Sequence, residues 1–308
     1  HTPSCGFIND LDALPLPARA DTPFHRYSSV LSTRTPSTTM ITSRGCPFNC
    51  IFCNRMGRKL RTHSAEYVLA EIDAIVELGI KEIFIHDDTF SVDKKRVRAI
   101  CNGLIERSYD LVWEARTRVD CVDKELLRLM RQAGCQRLSF GVESGSERVL
   151  KSMRKGINLR QVENVFDWCR DEGLVTLADF MLGNLDEERE DVAKTFRLLR
   201  RIRPDYVQFS ILTPYPATPI YLLALERGML PNDVWLEFAK APLEEFKAPV
   251  WTQHFSEGEL RELTAKAYRS FYLRPGFIFK QLRDIHSLGQ LKAMARAGLG
   301  MLRGKGSS

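Results

Sequence analysis

Three cysteines lie close together in the stretch TSRGCPFNCIFCNR at residues 42–55. Cys46, Cys50 and Cys53 are separated by three and then by two residues. Structural zinc takes four protein ligands, usually from two separated pairs, and only His63 is near enough in the sequence to be a fourth. A disulfide would leave one thiol over and is rare in the cytoplasm. The spacing instead suits three irons of a [4Fe-4S] cluster whose fourth iron has no protein ligand.

The sequence around this stretch alternates strand-like and helix-like runs. The predicted strands are 39–44, 81–87, 111–118, 136–143, 174–182 and 205–211. The predicted helices between them are 64–78, 93–107, 123–132, 146–152, 159–172 and 187–200. Ser64, Asp93 and Asp123 are expected to cap three of these helices. Such alternation predicts a parallel sheet, because each crossover returns the chain to the same sheet with right-handed connectivity.

Side-chain alternation favours a partial barrel over an open, doubly wound sheet. Glu114 and Arg116 share one face of the third strand, and Tyr206, Gln208 and Ser210 share one face of the sixth. Strands covered by helices on both faces would be apolar throughout. One polar face predicts a lumen that holds a ligand. The expected fold class is therefore α/β, a partial (β/α)6 barrel of parallel strands with a C-terminal helical extension.

Three regions are predicted along the chain. Residues 1–38 contain five prolines and no sustained period, so they are expected to form a linker or a wrapping segment. Residues 39–212 form the barrel and residues 213–308 the helical extension. The helices predicted in that extension are 218–227, 256–270 and 277–301.

Composition is that of an ordinary globular chain of 308 residues, with 27% charged residues and a net charge of +6. The excess charge is modest, so no nucleic-acid partner is expected. Neither a signal peptide nor an uninterrupted apolar run of membrane-spanning length is visible, which predicts a cytoplasmic protein. The remaining cysteines are isolated and are interpreted as small buried apolar residues: Cys5, Cys101, Cys121, Cys135 and Cys169.

With the aromatic Phe52 directly before its last cysteine, the cysteine stretch resembles the CxxxCxxC motif of the radical S-adenosylmethionine (SAM) superfamily. Further stretches resemble, in order, the branch that includes cobalamin-dependent radical SAM methylases and the anaerobic magnesium-protoporphyrin ester cyclase. They are HDDTF (86–90), TRVD (117–120), MRQAGC (130–135), GVESGS (141–146), KGI (155–157), FMLG (180–183) and TPYPATP (213–219). The resemblance covers nearly the whole chain.

The resemblance implies that Cys46, Cys50 and Cys53 bind a [4Fe-4S] cluster, and that the amine and carboxylate of SAM chelate its open iron. One electron then cleaves the sulfonium and gives a 5′-deoxyadenosyl radical. The expected activity is functionalisation of an unactivated carbon, by methyl transfer or by ring-forming oxidation, with ferredoxin or flavodoxin as the reducing partner. The alternatives are a cobalamin-independent radical rearrangement and, in a different class, an iron–sulfur electron carrier or binding subunit.

The resemblance also places residues near the cofactor. Phe52 would offer an apolar face to the adenine, with simple packing as the alternative. Either Asp87 or Asp88 would receive the ammonium of SAM, because each lies at the end of the second strand. Alternation favours Asp88, and a helix-capping role is the other interpretation of these acids.

At the end of the fourth strand, Glu143 and Ser144 are expected to contact the ribose or the methionyl part of SAM. Arg118 is expected to pair with the SAM carboxylate or with Glu143, since a guanidinium fits a carboxylate in two places; a purely structural ion pair is the alternative. Lys155 lies in a turn and is interpreted as a surface residue.

Two stretches depart from the pattern of the family. Where relatives commonly show Gly-Leu-Pro-Gly-Glu, this chain keeps Gly183 and Glu187 but has Asn-Leu-Asp at 184–186. Gly183 is expected to contact the adenine through its backbone, with a geometry that the departure leaves open. Ala217 stands where a glycine is usual.

Cobalamin is expected to be bound by a domain that is not in this chain. The chain opens on His1 instead of Met, so it is interpreted as a fragment whose missing upstream part holds that domain. The stretch DIHSLG (284–289) matches a cobalamin-binding signature by chance, because too few residues follow it to form the required domain. The basic, apolar tail 277–308 predicts a helix that packs on the barrel. The alternative role for this helix is peripheral contact with a membrane. The basic and apolar character of the tail favours a lipid-like small-molecule substrate.

Overall fold

The computed structural model describes residues 6–27, 32–54, 57 and 59–283. In chain order its strands are β1 (Ser37–Met40), β2 (Ser43–Arg44), β3 (Arg61–Thr62), β4 (Glu82–Ile85), β5 (Val112–Thr117), β6 (Cys135–Glu143), β7 (Val175–Leu182) and β8 (Tyr206–Ile211). Six of them form one parallel sheet in the order β1-β4-β5-β6-β7-β8. This order follows the chain without reversal, as in a barrel and unlike a doubly wound sheet. The predicted α/β partial barrel is confirmed.

Within the described residues, six α-helices run between successive strands of this sheet and four more follow its last strand. They are α1 (Ala65–Glu77), α2 (Lys94–Arg107), α3 (Lys124–Gln132), α4 (Glu147–Ser152), α5 (Leu159–Asp171), α6 (Arg189–Ile202), α7 (Pro219–Glu226), α8 (Val234–Lys240), α9 (Glu257–Tyr272) and α10 (Pro275–Arg283). The predicted N-caps are confirmed at Ser64, Asp93 and Asp123, whose side chains each accept a backbone N–H from the first turn of their helix.

Three elements differ from the predictions. The predicted first strand, 39–44, begins earlier and ends at Met40, because residues 43–44 pair instead with β3 as a short antiparallel ladder. Helix α8 was not predicted; it is seven residues long and buries none of them completely, and its Trp235 packs against an apolar cluster. The last predicted helix begins at Pro275, and its part beyond Arg283 lies outside the described residues, together with residues 284–289.

The two faces of the sheet differ in burial as the sequence predicted. Towards the helices, β6 to β8 present fully buried apolar side chains, among them Phe140, Ala178 and Phe209. Towards the lumen, Arg116 and Gln208 are exposed and polar. The core therefore lies between the sheet and its helices, and the concave face remains available to ligands.

Two tyrosines of the C-terminal extension close the β8 edge of the sheet. The Tyr268 hydroxyl accepts the Phe209 N–H (2.9 Å) and donates to the Phe209 carbonyl (3.1 Å). The Tyr272 hydroxyl bonds the N–H and carbonyl of Val207 in the same way, at 3.0 and 2.7 Å. The outward backbone groups of this edge strand are thus satisfied by side chains of α9, so no further strand is needed there.

The segment before β1 covers the opposite edge. Arg19 donates to the carbonyl of Thr39 in β1 (2.9 Å) and pairs with the buried carboxylate of Glu71 in α1 (2.5 Å). Leu11, 1% exposed, is also part of the protein interior. These contacts are those of a wrapping segment. Within the described ranges, no helix has both the length and the apolar composition that crossing a lipid bilayer demands.

Candidate cluster and cofactor site

The loop that carries the three cysteines leaves β2 through a conformation that only glycine adopts easily. Gly45 has φ +86°, and a Cβ added to it would lie 2.5 Å from the carbonyl oxygen of Lys59. The Cys46 N–H donates to the carbonyl of Gly57 at 3.4 Å. The outgoing and returning arms of the loop are therefore held against each other at the first cysteine.

The middle of the loop is fixed by the rest of the barrel. The Ile51 N–H donates to the carbonyl of Met153 at the end of α4 (3.1 Å). The Ile51 carbonyl accepts the N–H of Ile220 in α7 at 3.1 Å. Phe52 is half-buried and packs against an apolar cluster that includes Ile51, Met153 and Ile220. The structure thus gives Phe52 a packing role, and its adenine contact stays a prediction.

The two aspartates after β4 have different environments. Asp87 is 2% exposed and accepts four hydrogen bonds, from the N–H and hydroxyl groups of Thr42 and Ser43 at 2.6–3.0 Å. Its carboxylate therefore holds the chain that leads into the cysteine loop. Asp88 is exposed, and no described residue donates a hydrogen bond to its carboxylate. Of the two candidates, Asp88 is the one whose carboxylate is open to a ligand.

The three thiols form one electrostatic unit. Cys46 and Cys50 are buried and Cys53 is exposed. Although Cys53 reaches the surface, the surrounding protein removes part of the water around its thiol, and this desolvation raises the pKa of Cys53 to about 11; Cys50, Cys46 and Asp88 add to the rise because they repel a thiolate. A metal centre that supplies positive charge would relieve this repulsion. In the part of the chain that the structure describes, no three His, Cys, Asp or Glu side chains converge as single-ion ligands; a cluster instead requires each thiolate to reach its own iron.

Arg118 lies beside the second cysteine. Its guanidinium donates to both carboxylate oxygens of Asp120 (2.9 Å each) and to the carbonyl of Lys155 (2.7 Å). One of its nitrogens lies 3.6 Å from the Cys50 Sγ. The expected pairing with Glu143 is therefore wrong, because Asp120 is only two residues away and takes both arms of the guanidinium. A charged donor at this sulfur is typical of groups that set a cluster's reduction potential.

Lys155 and Glu143 form a buried ion pair that the sequence did not predict. The Lys155 Nζ lies 2.7 Å from the Glu143 Oε1, and the residues are 6% and 8% exposed. The interpretation of Lys155 as a surface residue is wrong. Gly141 makes the space, since a Cβ there would lie 2.6 Å from Oε1 and 2.8 Å from Nζ. A glycine inside a strand was the available signal, because it marks a close approach of other groups.

Two other predicted contacts are occupied by the protein itself. Ser144 is fully buried; its hydroxyl lies 3.3 Å from that of Thr195 in α6 and accepts the Ser146 N–H at 3.2 Å. The Gly183 N–H donates to the Glu187 carboxylate at 2.7 Å. The structure therefore does not bring the Ser144 side chain to the lumen, and it leaves no free N–H on Gly183 for the adenine.

The departures from the family pattern keep the backbone that glycine would give. Asp186, at the position of the second glycine, has φ +59°, and Ala217 has φ +62°. Asp186 also exchanges hydrogen bonds with the Gln253 side chain, at 3.1 Å to its amide oxygen and 2.9 Å from its amide nitrogen. Aspartate tolerates this region better than alanine, so Ala217 carries the greater strain.

A carboxyl group with an altered pKa lies in the lumen. Burial raises the pKa of Asp179 to about 7, and the nearby Glu143 adds to the rise. Arg116 and Lys155 act in the opposite direction. Asp179 lies in β7, paired in register with Gly141 on one side and Gln208 on the other, so it belongs to the polar floor of the barrel.

Comparison with known proteins identifies the fold and the cysteine loop together. Residues 40–199 match the family model described as the radical SAM superfamily. The chain belongs to this superfamily. Its members use a [4Fe-4S] cluster and SAM, and the cysteines predicted to hold that cluster lie inside the matched region. The family resemblance stated from the sequence is confirmed.

Among curated proteins, the chain is 34% identical over 308 residues to an uncharacterized methyltransferase, PH0819, of Pyrococcus horikoshii, covering 98% of this chain and 64% of the relative. It is 28% identical over 270 residues to the anaerobic magnesium-protoporphyrin IX monomethyl ester cyclase of Cereibacter sphaeroides, covering 84% of this chain and 43% of that protein. The chain thus spans between two fifths and two thirds of the length of these relatives.

Among solved structures, the cobalamin-dependent SAM radical enzyme OxsB, with aqua-cobalamin and SAM bound, superposes with a TM-score of 0.59. The match covers 84% of this chain and 44% of OxsB at 18% sequence identity. At this identity the likeness establishes the fold, and its coverage exceeds the residues that the family model matches.

Proposed function

We propose that this chain is the catalytic core of a radical SAM enzyme that functionalises an unactivated carbon of a small molecule. The reaction would be a methyl transfer or a ring-forming oxidation, with cobalamin held by a domain outside this chain. The observation that supports this proposal most strongly is the position of the three-cysteine loop, at the carboxyl ends of parallel strands and beside a polar lumen. The methyltransferase and cyclase relatives support the reaction class.

Cys46, Cys50 and Cys53 would hold the [4Fe-4S] cluster. When bound and reduced, the cluster supplies the electron that cleaves the sulfonium of SAM. Arg118 would act on it through Cys50, since the guanidinium lies 3.6 Å from that sulfur and is itself fixed by Asp120. Positive charge at a ligating sulfur favours the reduced state of the cluster.

Four groups around the loop suit the parts of SAM. Asp88 offers a free carboxylate for the ammonium, and Glu143, held by Lys155, faces the lumen where the ribose hydroxyls would lie. Phe52 is half-buried and offers an apolar ring for the adenine. The amide oxygen of Asn184 is buried without a hydrogen-bond partner among the described residues, so it is an acceptor for the adenine amino group.

The electron would enter from the exposed side of the loop. Cys53 is the only one of the three ligands that is exposed, so the shortest path from a protein donor to the cluster passes through it. A small one-electron carrier such as ferredoxin or flavodoxin fits this requirement. The lumen lies between the sheet and the segment before β1, and this enclosure would limit the access of bulk water to the radical.

Labelled SAM distinguishes the two reaction classes. The reduced, reconstituted protein would be incubated anaerobically with cobalamin, SAM deuterated in its methyl group, and a small-molecule extract of its own cells. A methyl transfer to an unactivated carbon gives S-adenosylhomocysteine from the SAM that donates the methyl group, 5′-deoxyadenosine from the SAM whose radical removes the substrate hydrogen, and a product that keeps the label. A ring-forming oxidation gives 5′-deoxyadenosine and an unlabelled product that has lost hydrogen. A cluster that passes electrons but cleaves no SAM would overturn the proposal in favour of an electron carrier.

A further inference from the structure

A cavity of about 730 Å³ lies where the wrapping segment meets the lumen. Strands β1, β4 and β5 form one wall, and the segment between Leu14 and Tyr27 forms another. Arg44, two residues before Cys46, also lines it, so the cavity extends to the base of the cysteine loop. A substrate bound here would lie next to the site proposed for the cofactors.

Most charged groups that line the cavity are neutralised within the protein. A lining carboxylate with its own cation adds no net charge to the space. The neutralised groups are Arg19 with Glu71 (2.5 Å), Glu114 with Arg137, and His63 with Asp12 (3.2 Å).

Two arginines and one histidine of the lining remain without a partner. Among the described residues, none forms an ion pair or side-chain hydrogen bond with Arg116, His86 or Arg44, and all three are exposed to the cavity. Burial and the neighbouring Arg116 lower the pKa of His86, so this side chain contributes a neutral hydrogen-bond donor rather than a positive charge. Arg116 and His86 are neighbours, because each follows the last registered pair of β5 and β4, Ala115 with Ile85. Parallel strands lie about 5 Å apart, so one small anion can reach both side chains.

Two carboxyl groups act on these side chains, Asp179 on Arg116 and Asp87 on His86. Asp179 feels Arg116 across the lumen, which lowers its pKa, but burial and Glu143 outweigh Arg116 and hold that pKa at about 7. Near neutral pH, Asp179 is therefore charged only in part, and it compensates Arg116 incompletely. The lumen between Arg116 and Arg44 keeps a net positive charge.

Apolar side chains form much of the remaining lining, next to the hydroxyl groups of Thr22, Ser37, Thr38 and Thr39. Phe24 and Leu14 face the cavity from the wrapping segment, Phe84 from β4 and the Tyr67 ring from α1. The Tyr67 hydroxyl donates a hydrogen bond to the carbonyl of Pro15 (3.2 Å), so the part of the side chain that faces the cavity is its apolar ring. The cavity thus combines a basic end with an extended apolar wall, which fits an amphipathic anion.

We propose that the substrate of this enzyme carries an oxyanion, a carboxylate or a phosphate, that Arg116 and His86 bind, while its apolar body lies against the wrapping segment. This inference rests on the proposed function, since it names the chemistry of the molecule on which that function acts. Arg116 is the principal anchor because a guanidinium binds an oxyanion through two parallel hydrogen bonds.

Binding of model anions to the reconstituted, SAM-saturated protein tests this inference without knowledge of the substrate. The probes are decanoate, decyl phosphate and decanol, which share an apolar chain and differ in the head group. Equilibrium dialysis would give their affinities for the wild type and for R116Q, R116K and R200Q. Arg200 is exposed on α6 outside the cavity lining and serves as the matched control. Thermal unfolding would show that every variant is folded.

The wild type and R200Q should bind at least one of the anions roughly 10- to 100-fold more tightly than decanol, and R116Q should lose that preference. R116K should keep part of it. The anion bound more tightly names the head group. Equal binding of all three probes, or an unchanged preference in R116Q, would overturn the inference. So would a loss of SAM affinity in R116Q with anion binding intact, because Arg116 would then hold the cofactor. Formation of 5′-deoxyadenosine by the same wild-type preparation tests the proposed function separately.

Discussion

The Lys155 ammonium lies 2.7 Å from the Glu143 carboxylate at the end of β6, and both side chains are buried. Glu143 has φ +66° at a register shift of the strand, so the bulge turns its side chain back over Gly141. Lys155 approaches from the turn after α4. The pair fixes a carboxylate in the lumen, at the place that we propose for the ribose of SAM.

Replacing one partner of this pair should lower the free energy of unfolding more than replacing both. K155M or E143Q alone leaves a buried charge without its partner and should lower the free energy of unfolding by about 3–5 kcal/mol. The double variant should recover most of that loss. Urea unfolding of the four proteins measures the coupling, and SAM affinity of the double variant measures the cofactor role. Additive losses would contradict a direct interaction.

The two aspartates after β4 should respond in opposite ways. D87N loses acceptors for the Thr42 and Ser43 donors, so it should lower the free energy of unfolding by about 2–4 kcal/mol. D88N has no such bonds to lose and should leave stability unchanged while it weakens SAM binding about tenfold or more. Isothermal titration and urea unfolding separate the two effects. If a folded D88N protein binds SAM as tightly as the wild type, Asp88 does not contact SAM.

Asp179 should make stability depend on pH. Its pKa is raised from 3.8 to about 7 in the folded protein, so the folded state holds the proton more tightly than the unfolded chain. The free energy of unfolding therefore falls as the pH rises from roughly 4 to 7, by up to about 4 kcal/mol relative to D179N. Urea unfolding of wild type and D179N at several pH values tests this. Parallel curves for the two proteins would show that Asp179 does not titrate in this range.

Ala217 should be improved by glycine. Its φ of +62° lies in the left-handed region, where a Cβ is unfavourable, so A217G should raise the free energy of unfolding by about 1 kcal/mol. The matched control is A70G, on an exposed position of α1, which should lose about 1 kcal/mol. If both changes destabilise the protein, the left-handed conformation at Ala217 is not the one it adopts in solution.

Features that depend on local sequence patterns were predicted correctly from the sequence. Cysteine spacing identified the cluster loop, and alternation in β5 and β8 identified the polar lumen, because period and spacing reflect strand geometry directly. The expected cofactor contact of Ser144 rested on the family resemblance, whereas the structure turns its hydroxyl towards Thr195 of α6, on the side of the buried Phe140 and Val142.

Other features depend on contacts between distant residues, and no local pattern shows them. The choice between Asp87 and Asp88 is made by Thr42 and Ser43, which lie over forty residues earlier in the chain. Tyr268 and Tyr272 have the spacing of an ordinary helix face, yet their hydroxyls satisfy the edge of β8. Such partners become visible only when the barrel is assembled.

The most direct test of the account is reductive cleavage of SAM by the anaerobically reconstituted chain. Wild type and C101A, whose altered cysteine is buried in α2 away from the loop, should assemble the cluster and form 5′-deoxyadenosine when reduced. C50A should lose both the cluster's absorbance and the product, because it removes one of three iron ligands. A wild-type protein that binds the cluster and SAM but never forms 5′-deoxyadenosine, or a C50A protein that forms it as fast, would contradict the account.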